Sequence, residues 1–255
     1  MANTVNKVID IALAEVGYLE KKSNKSLDSK TANAGSANYT KYGRDMHKLY
    51  PSVMDFPAYW CDAFVDWCFY KAYGVANAKG LLGGKFDDYT VASAQLYKNK
   101  KAWYTSNPKV GDQIFFKNST RINHTGLVYK VDSKYVYTIE GNTSAGDEVI
   151  ANGGCVAKKK YLLTNSRIAG YGRPKYDKEV LPTIASPTLK KGDEGTQVKY
   201  LQSDLNHVLK TKLVTDGEFG KDTDSALRTF QKKYGLVVDG IYGAKSHAKM
   251  KSLIK

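Results

Sequence analysis

Apolar positions near the start of the chain recur at helical spacing. Val5, Val8, Ile9, Ala12, Leu13 and Val16 form one stripe and predict an amphipathic helix. A second helical stripe begins at Cys61 and runs through Phe64, Val65, Cys68 and Phe69, with Gly74 able to close it. Pro57 makes the preceding stretch turn-like, so Cys61 falls at or just inside a helix start. The period then changes. "HTGLVYKV" from His124 and "YVYTIEGN" from Tyr135 are rich in Val, Tyr, Thr and Ile and predict the two strands of a hairpin. "DKEVLPTIASPT" (177–188) holds two of the six prolines, shows no period and reads as a linker. Beyond it the pattern is helical again, in "TQVKYLQSDLNHVL" (196–209), "DSALRTFQKKYG" and "SHAKMKSLI". The 255 residues thus divide into a mixed domain at 1–176, a linker at 177–187 and an all-α domain of three helices at 188–255.

The all-α domain contains an internal repeat. "DGEFGKDT" (216–223) and "DGIYGAKS" (239–246) share D-G-x-aromatic-G, and each precedes a helix. Asp-Gly and aromatic-Gly are tight-turn signals. Thr223 and Ser246 are the expected N-caps.

Composition narrows the function. No apolar run reaches the ~18 residues of a membrane-spanning helix, so none is expected. Asp10 and Glu15 interrupt the first apolar stripe and no cationic segment precedes it, so it reads as a folded helix rather than a secretory signal. The net charge of +14 suits a polyanionic partner: nucleic acid, an anionic membrane or an anionic cell wall. Lysine far outnumbers arginine and no recognition element appears, so nucleic acid is not the expected partner. The three cysteines, Cys61, Cys68 and Cys155, fit no zinc spacing and leave at least one free thiol.

The two cysteines of "YWCDAFVDWCFY" (59–70) are not equivalent. Free N–H groups and the helix dipole favour a thiolate at Cys61. Cys68 lies two turns further along, on the apolar face, where a thiol is inert. A nucleophilic cysteine needs a base, and the base an orienting group. Of the four histidines, His207 and His247 belong to the C-terminal domain and His47 to a polar segment, which leaves His124 at a strand start. A three-residue hairpin loop at 132–134 would pair Val131 with Tyr135 and His124 with Asn142, with Glu140 on the same face. A two-residue loop would put His124 on the opposite face. Cysteine, histidine, then a polar residue is the papain-like order. Tyr59 and Trp60 either line a substrate groove or pack; Phe64 and Trp67 are expected to pack.

Two resemblances follow from these residues. "LKKGDEGTQVKYLQ", "DGEFGKDT" and "FQKKYGLVVDGIYG" resemble the three-helix peptidoglycan-binding domain. This implies wall contacts near the turn residues Asp216, Phe219, Asp239 and Tyr242. "ALAEVGYLE", "WCDAFVDWC", "PKVGDQIFF", "NHTGLVYKV", "IEGNTS" and "IAGYGRP", in that order over 12–174, resemble the CHAP domain of cell-wall lysins. That resemblance implies an α+β, papain-like fold, with helices packed on an antiparallel sheet. It carries the nucleophile to Cys61, the base to His124, the orienting acid to Glu140 and a fourth polar role to Asn142. No cofactor is implied. No D-x-D-x-D-G loop is present, so no metal is expected.

The implied activity is that of an endolysin-like peptidoglycan hydrolase cutting an amide bond, as an N-acetylmuramoyl-L-alanine amidase or an endopeptidase. Such an enzyme is expected to be made in the host cytoplasm and to reach the wall after release through a holin. The alternatives are a bacterial autolysin or effector with the same chemistry, or a non-catalytic wall-binding protein.

Overall fold

The chain opens with four helices, α1 (Val5–Ala14), α2 (Lys41–Leu49), α3 (Cys61–Leu81) and α4 (Thr90–Asn99), of which α1 and α3 carry the two apolar stripes. Six strands follow: β1 (Trp103–Tyr104), β2 (Gln113–Lys117), β3 (Ile122–Val131), β4 (Tyr135–Thr143), β5 (Cys155–Leu162) and β6 (Ile168–Gly172). Three further helices, α5 (Thr196–Leu209), α6 (Lys221–Lys233) and α7 (Ala244–Leu253), complete the chain. The computed structural model describes residues 3–144, 146, 148–177 and 184–254. It divides into two compact units, Met1–Glu179 and Val180–Lys255. Among the described residues, no helix is long and apolar enough to cross a membrane.

The first unit is α+β, as expected. Its strands form one antiparallel sheet in the order β1-β6-β2-β3-β4-β5. Alternation along the strands gives the sheet two apolar faces. On one, Phe115, Leu127 and Ile139 meet Val8, Ala12, Phe64, Val65 and Cys68 of α1 and α3. On the other, Ile114, Phe116, Val128, Val136, Tyr161 and Tyr171 form a separate cluster. Helix α3 lies against β3 and β4 and is flanked by α1 and α2. Gly74, at φ 73°, breaks α3 where the apolar stripe ends, and the chain then resumes a helical course to Leu81. The left-handed φ is one that glycine reaches at no steric cost.

The second unit packs α5, α6 and α7 around Val198, Leu201, Leu205, Leu227, Phe230 and Met250. Three expectations are corrected here. Positions 178–183 of the proposed linker lie outside the described residues, and its end is not linker at all. Ala185 is fully buried in this core, with its N–H on Asp204 Oδ2 at 2.9 Å, and Ile184 packs beside it. The small, proline-flanked residues that read as linker are the ones a helix surface can accept closely. Phe219 and Tyr242 are buried (2% and 0% exposed), so they are core residues and not wall contacts. Thr223 and Ser246 are not N-caps. Gly220 and Gly243 hold those positions, and the two hydroxyls lie buried one turn inside α6 and α7.

Candidate active site

Cys61 is the first residue of α3, where the helix N–H groups have no partner within the helix. Two devices fix that start. Trp60 is buried between Tyr42, stacked at 5.4 Å, and Tyr18, edge-on at 6.2 Å, and its indole N–H donates to Glu20 Oε2 at 2.9 Å. That burial corrects Trp60 as a groove-lining candidate: its edge holds the helix and cannot reach a ligand. Tyr59, one residue earlier, is 63% exposed. The second device is Asp62. Its carboxylate accepts from Ser93 Oγ at 2.6 Å and from Gln113 Nε2 at 3.0 Å. The same Gln113 amide donates to Thr125 Oγ1 at 3.1 Å, tying the nucleophile's helix to the residue beside His124. Burial raises the Asp62 carboxyl above its ordinary range. This network was not foreseen, although an acid directly after Cys61 was its visible sign.

Strand β4 supplies the rest. At Gly141 its backbone approaches α3 so closely that a Cβ would stand 2.6 Å from Phe64 Cβ and 2.9 Å from Trp60 Cζ3. Glu140 and Asn142 flank this contact on either side.

The hairpin reached the expected face by a different path. Val131 pairs with Val136, so four residues connect the strands, one more than expected. That shift alone would have turned His124 away. Tyr129 is bulged, however, and beyond it Val128 pairs with Thr138 and Leu127 with Ile139. This restores the register of a three-residue loop. His124 therefore lies on the face of Glu140. Gly126 sits between them, and a Cβ there would meet Glu140 Cγ at 2.5 Å. Its bare backbone is what lets the carboxylate reach back.

His124, Glu140 and Asn142 are all fully buried. His124 Nε2 lies 2.9 Å from Glu140 Oε2. Thr138 Oγ1 donates to the other carboxylate oxygen at 2.5 Å, and Tyr161 OH to Oε2 at 3.2 Å. Phe116 stacks on the imidazole at 5.8 Å. Nδ1, on the far side of the ring, is buried with no hydrogen-bond partner among the described residues, and Cys61 is one of the two side chains that act on the imidazole's charge. Burial alone would depress the imidazole, but Cys61 and Glu140 together lift it to about 9. Asn142 takes the left-handed conformation (φ 54°), its Oδ1 accepts from Gly154 N–H at 3.4 Å, and its Nδ2 is buried without a protein partner among the described residues.

Residues 53–142, which contain all four of these side chains, match the CHAP domain. Residues 194–250 match a putative peptidoglycan binding domain. The chain carries both domains. Its similar relatives include the N-acetylmuramoyl-L-alanine amidase CwlL of Bacillus licheniformis, 33% identical over 193 residues that make up 72% of this chain and 48% of the amidase. A spore cortex-lytic enzyme of Bacillus cereus is 42% identical over 63 residues, 25% of this chain and 24% of the enzyme. Among solved structures, a Burkholderia AP3 phage endolysin is 37% identical over 26% of this chain and 25% of its own, with a TM-score of 0.25. The chain thus spans about half the length of the amidase and about a quarter of the cortex-lytic enzyme.

The other two thiols of the first unit are raised by burial and are not among the groups acting on His124. Cys68 is fully buried and its thiol is pushed well up by that burial. Cys155 is half-buried, donates to Thr143 O at 2.9 Å and is also raised by burial. Iodoacetamide applied to native protein is therefore expected to alkylate Cys61 at least tenfold faster than Cys68, of the order that thiolate access commonly gives. Peptide mapping over time reads the order, and faster labelling at Cys68 would reverse the assignment. In the peptidoglycan-binding domain, Asp216 and Asp239 are exposed and their Oδ1 atoms close the two turns, accepting from Glu218 and Ile241 N–H at 2.9 Å each.

Proposed function

We propose that the protein hydrolyses an amide bond of bacterial peptidoglycan, with Cys61 as nucleophile. The observation that carries this is the buried Glu140–His124 pair aimed at a thiol on a helix start, in a chain that also carries a peptidoglycan-binding domain. His124, protonated up to about pH 9, pairs with a Cys61 thiolate. The thiolate attacks the amide carbonyl, and the oxyanion forms beside the unpaired N–H groups at the start of α3. His124 gives its Nδ1 proton to the leaving amine, and the C–N bond breaks to leave a thioester. His124, now neutral, takes a proton from water. The hydroxide adds to the thioester, and the acid departs as the thiolate and imidazolium re-form. Glu140 holds the ring through Nε2 throughout, as the acid of a triad does. The +14 charge supports anionic wall polymers as a further partner.

Digestion of purified sacculi followed by mass spectrometry tests the reading. New amino and carboxyl termini on intact glycan strands are expected. Free stem peptides beginning at L-alanine would assign an amidase, and cuts within the stem or cross-bridge an endopeptidase. New reducing sugar ends without new amide-derived termini would overturn it.

A further inference from the structure

The sequence repeat of the C-terminal unit is also a repeat of hydrogen bonds. Gln202 Nε2 donates to Asp216 Oδ1 at 2.7 Å, to Glu218 O at 3.0 Å and to Thr223 Oγ1 at 3.1 Å, and Gln202 Oε1 accepts from Gly217 N–H at 2.9 Å. Gln231 does the same one repeat later: Asp239 Oδ1 at 2.7 Å, Ile241 O at 3.0 Å, Ser246 Oγ at 3.4 Å and Gly240 N–H at 3.0 Å. Both glutamines are buried (1% exposed), and both glycines have positive φ.

Each clamp forms one wall of a groove, of about 370 Å³ in the first repeat and 290 Å³ in the second. These volumes lie near the small end of the usual ~300–1,000 Å³ of ligand pockets, which suits one sugar-sized guest each. Position by position the grooves share Leu213 with Leu236, Val214 with Val237, Gly220 with Gly243, and Thr223 with Ser246. Val214 and Val237 are 74% and 70% exposed, so packing of the core does not account for their recurrence.

What fails to recur is as informative. Glu218 is matched by Ile241, Lys221 by Ala244 and Asp222 by Lys245. The one recurring charge is the carboxylate of Asp216 and Asp239, which can accept from a hydroxyl or an amide N–H. A stem peptide brings carboxylates of its own, and the groove lysines, Lys212 and Lys221 in one and Lys245 in the other, do not stand at equivalent positions to meet them. An N-acetylated amino sugar brings hydroxyls, an amide N–H and a methyl, and no charge.

We propose that the two grooves are equivalent subsites for the N-acetylated amino sugars of the peptidoglycan glycan strand, so that one domain grips two units of a repeating polymer. This rests on the wall-binding reading above. Engagement of both subsites at once raises affinity beyond that of either.

The test uses the full chain carrying Cys61→Ala, to prevent digestion, with an uncharged N-acetylglucosamine tetramer as probe and a free stem pentapeptide as control. The tetramer is expected to shift the backbone amide NMR signals of Gly217 and Gly240 together. Val214→Asp and Val237→Asp, both on exposed side chains, should each abolish shifts in their own groove. Each should weaken binding to sacculi about 100-fold, as lost bivalency predicts, and the double variant should weaken it further. Shifts in one groove alone, in neither, or with the pentapeptide instead of the tetramer would overturn the proposal. Undiminished sacculus binding by the double variant would do the same. Failure of the unsubstituted chain to bind sacculi would instead remove the wall-binding reading itself.

Discussion

Alanine at position 61 is expected to lower wall hydrolysis by about 10³-fold or more, with the fold and wall binding intact. The argument is local. Removing the sulfur leaves His124 and Glu140 in place, because the imidazole is held from its other side by Glu140 at 2.9 Å and by the Phe116 ring. The start of α3 is held by Trp60 and by Asp62, neither of which depends on the thiol. A stability loss of about 1 kcal/mol is expected, which for a domain of this size moves Tm by roughly 2–4 °C. Cys61→Ser should be equally inactive. A serine hydroxyl does not ionise near neutral pH, and replacing the thiol also removes one of the two groups that raise His124, so the nucleophile is no longer held as an anion beside the imidazole. Release of dye from labelled sacculi, with Tm and sacculus pull-down as controls, checks both variants. Lysis retained by both would leave Cys61 no catalytic part. Loss in both with pull-down unchanged separates an enzyme from a wall-binding protein that carries an inactive domain.

The elements that were legible in the sequence are those whose cause is local. The stripe after Cys61 and the break at Gly74 depend on nearest neighbours along one helix. So does α5, whose observed bounds are those of the periodic run itself. What was not legible depends on partners far along the chain. Trp60 reads as a possible groove aromatic because Tyr18, Glu20 and Tyr42, which bury it, lie far earlier in the chain. Phe219 and Tyr242 look like stacking residues on turns. The turns close so tightly on Gln202 and Gln231 that the aromatic side chain is directed inward instead. The hairpin is a more instructive case. The loop length was wrong by one residue and the face was right, because the bulge at Tyr129 offsets the longer connection. Burial constrains the face of a strand more strongly than it constrains the turn.

Glycines complete the site in a way that residue chemistry cannot indicate. Gly126 leaves room for the Glu140 side chain, and Gly141 lets β4 approach the first turn of α3. One brings the acid to the histidine, the other the strand to the nucleophile's helix. Both lie in the strand runs around the candidate residues, where a glycine signals close approach of backbone or side chain.

Glu140→Gln is expected to lower kcat/KM at neutral pH by about 10²–10⁴-fold, in the range of triad-acid replacements, and to change the pH profile. Glutamine keeps the shape and an acceptor for Nε2, so the change tests charge more than packing. His124 is raised to about 9 because Cys61 and Glu140 outweigh a burial effect that opposes the charged form. Removing the Glu140 charge leaves the burial in place, so the imidazole must titrate lower. The imidazolium is the form that pairs with the thiolate and protonates the leaving amine. Activity of the unsubstituted protein should therefore persist on rising pH until about 9 and then fall, as His124 loses its proton. In Glu140→Gln the same alkaline limb should move to lower pH. Glu140→Asp keeps the charge but shortens the reach across Gly126, so it should lower kcat/KM while holding the limb nearer its original position. The measurement is kcat/KM against pH on a soluble muropeptide for all three proteins. An alkaline limb unmoved in Glu140→Gln would mean that the carboxylate orients the ring without setting its charge. Glu140 would then be a steric support, and the proton would have to be held by Cys61 alone.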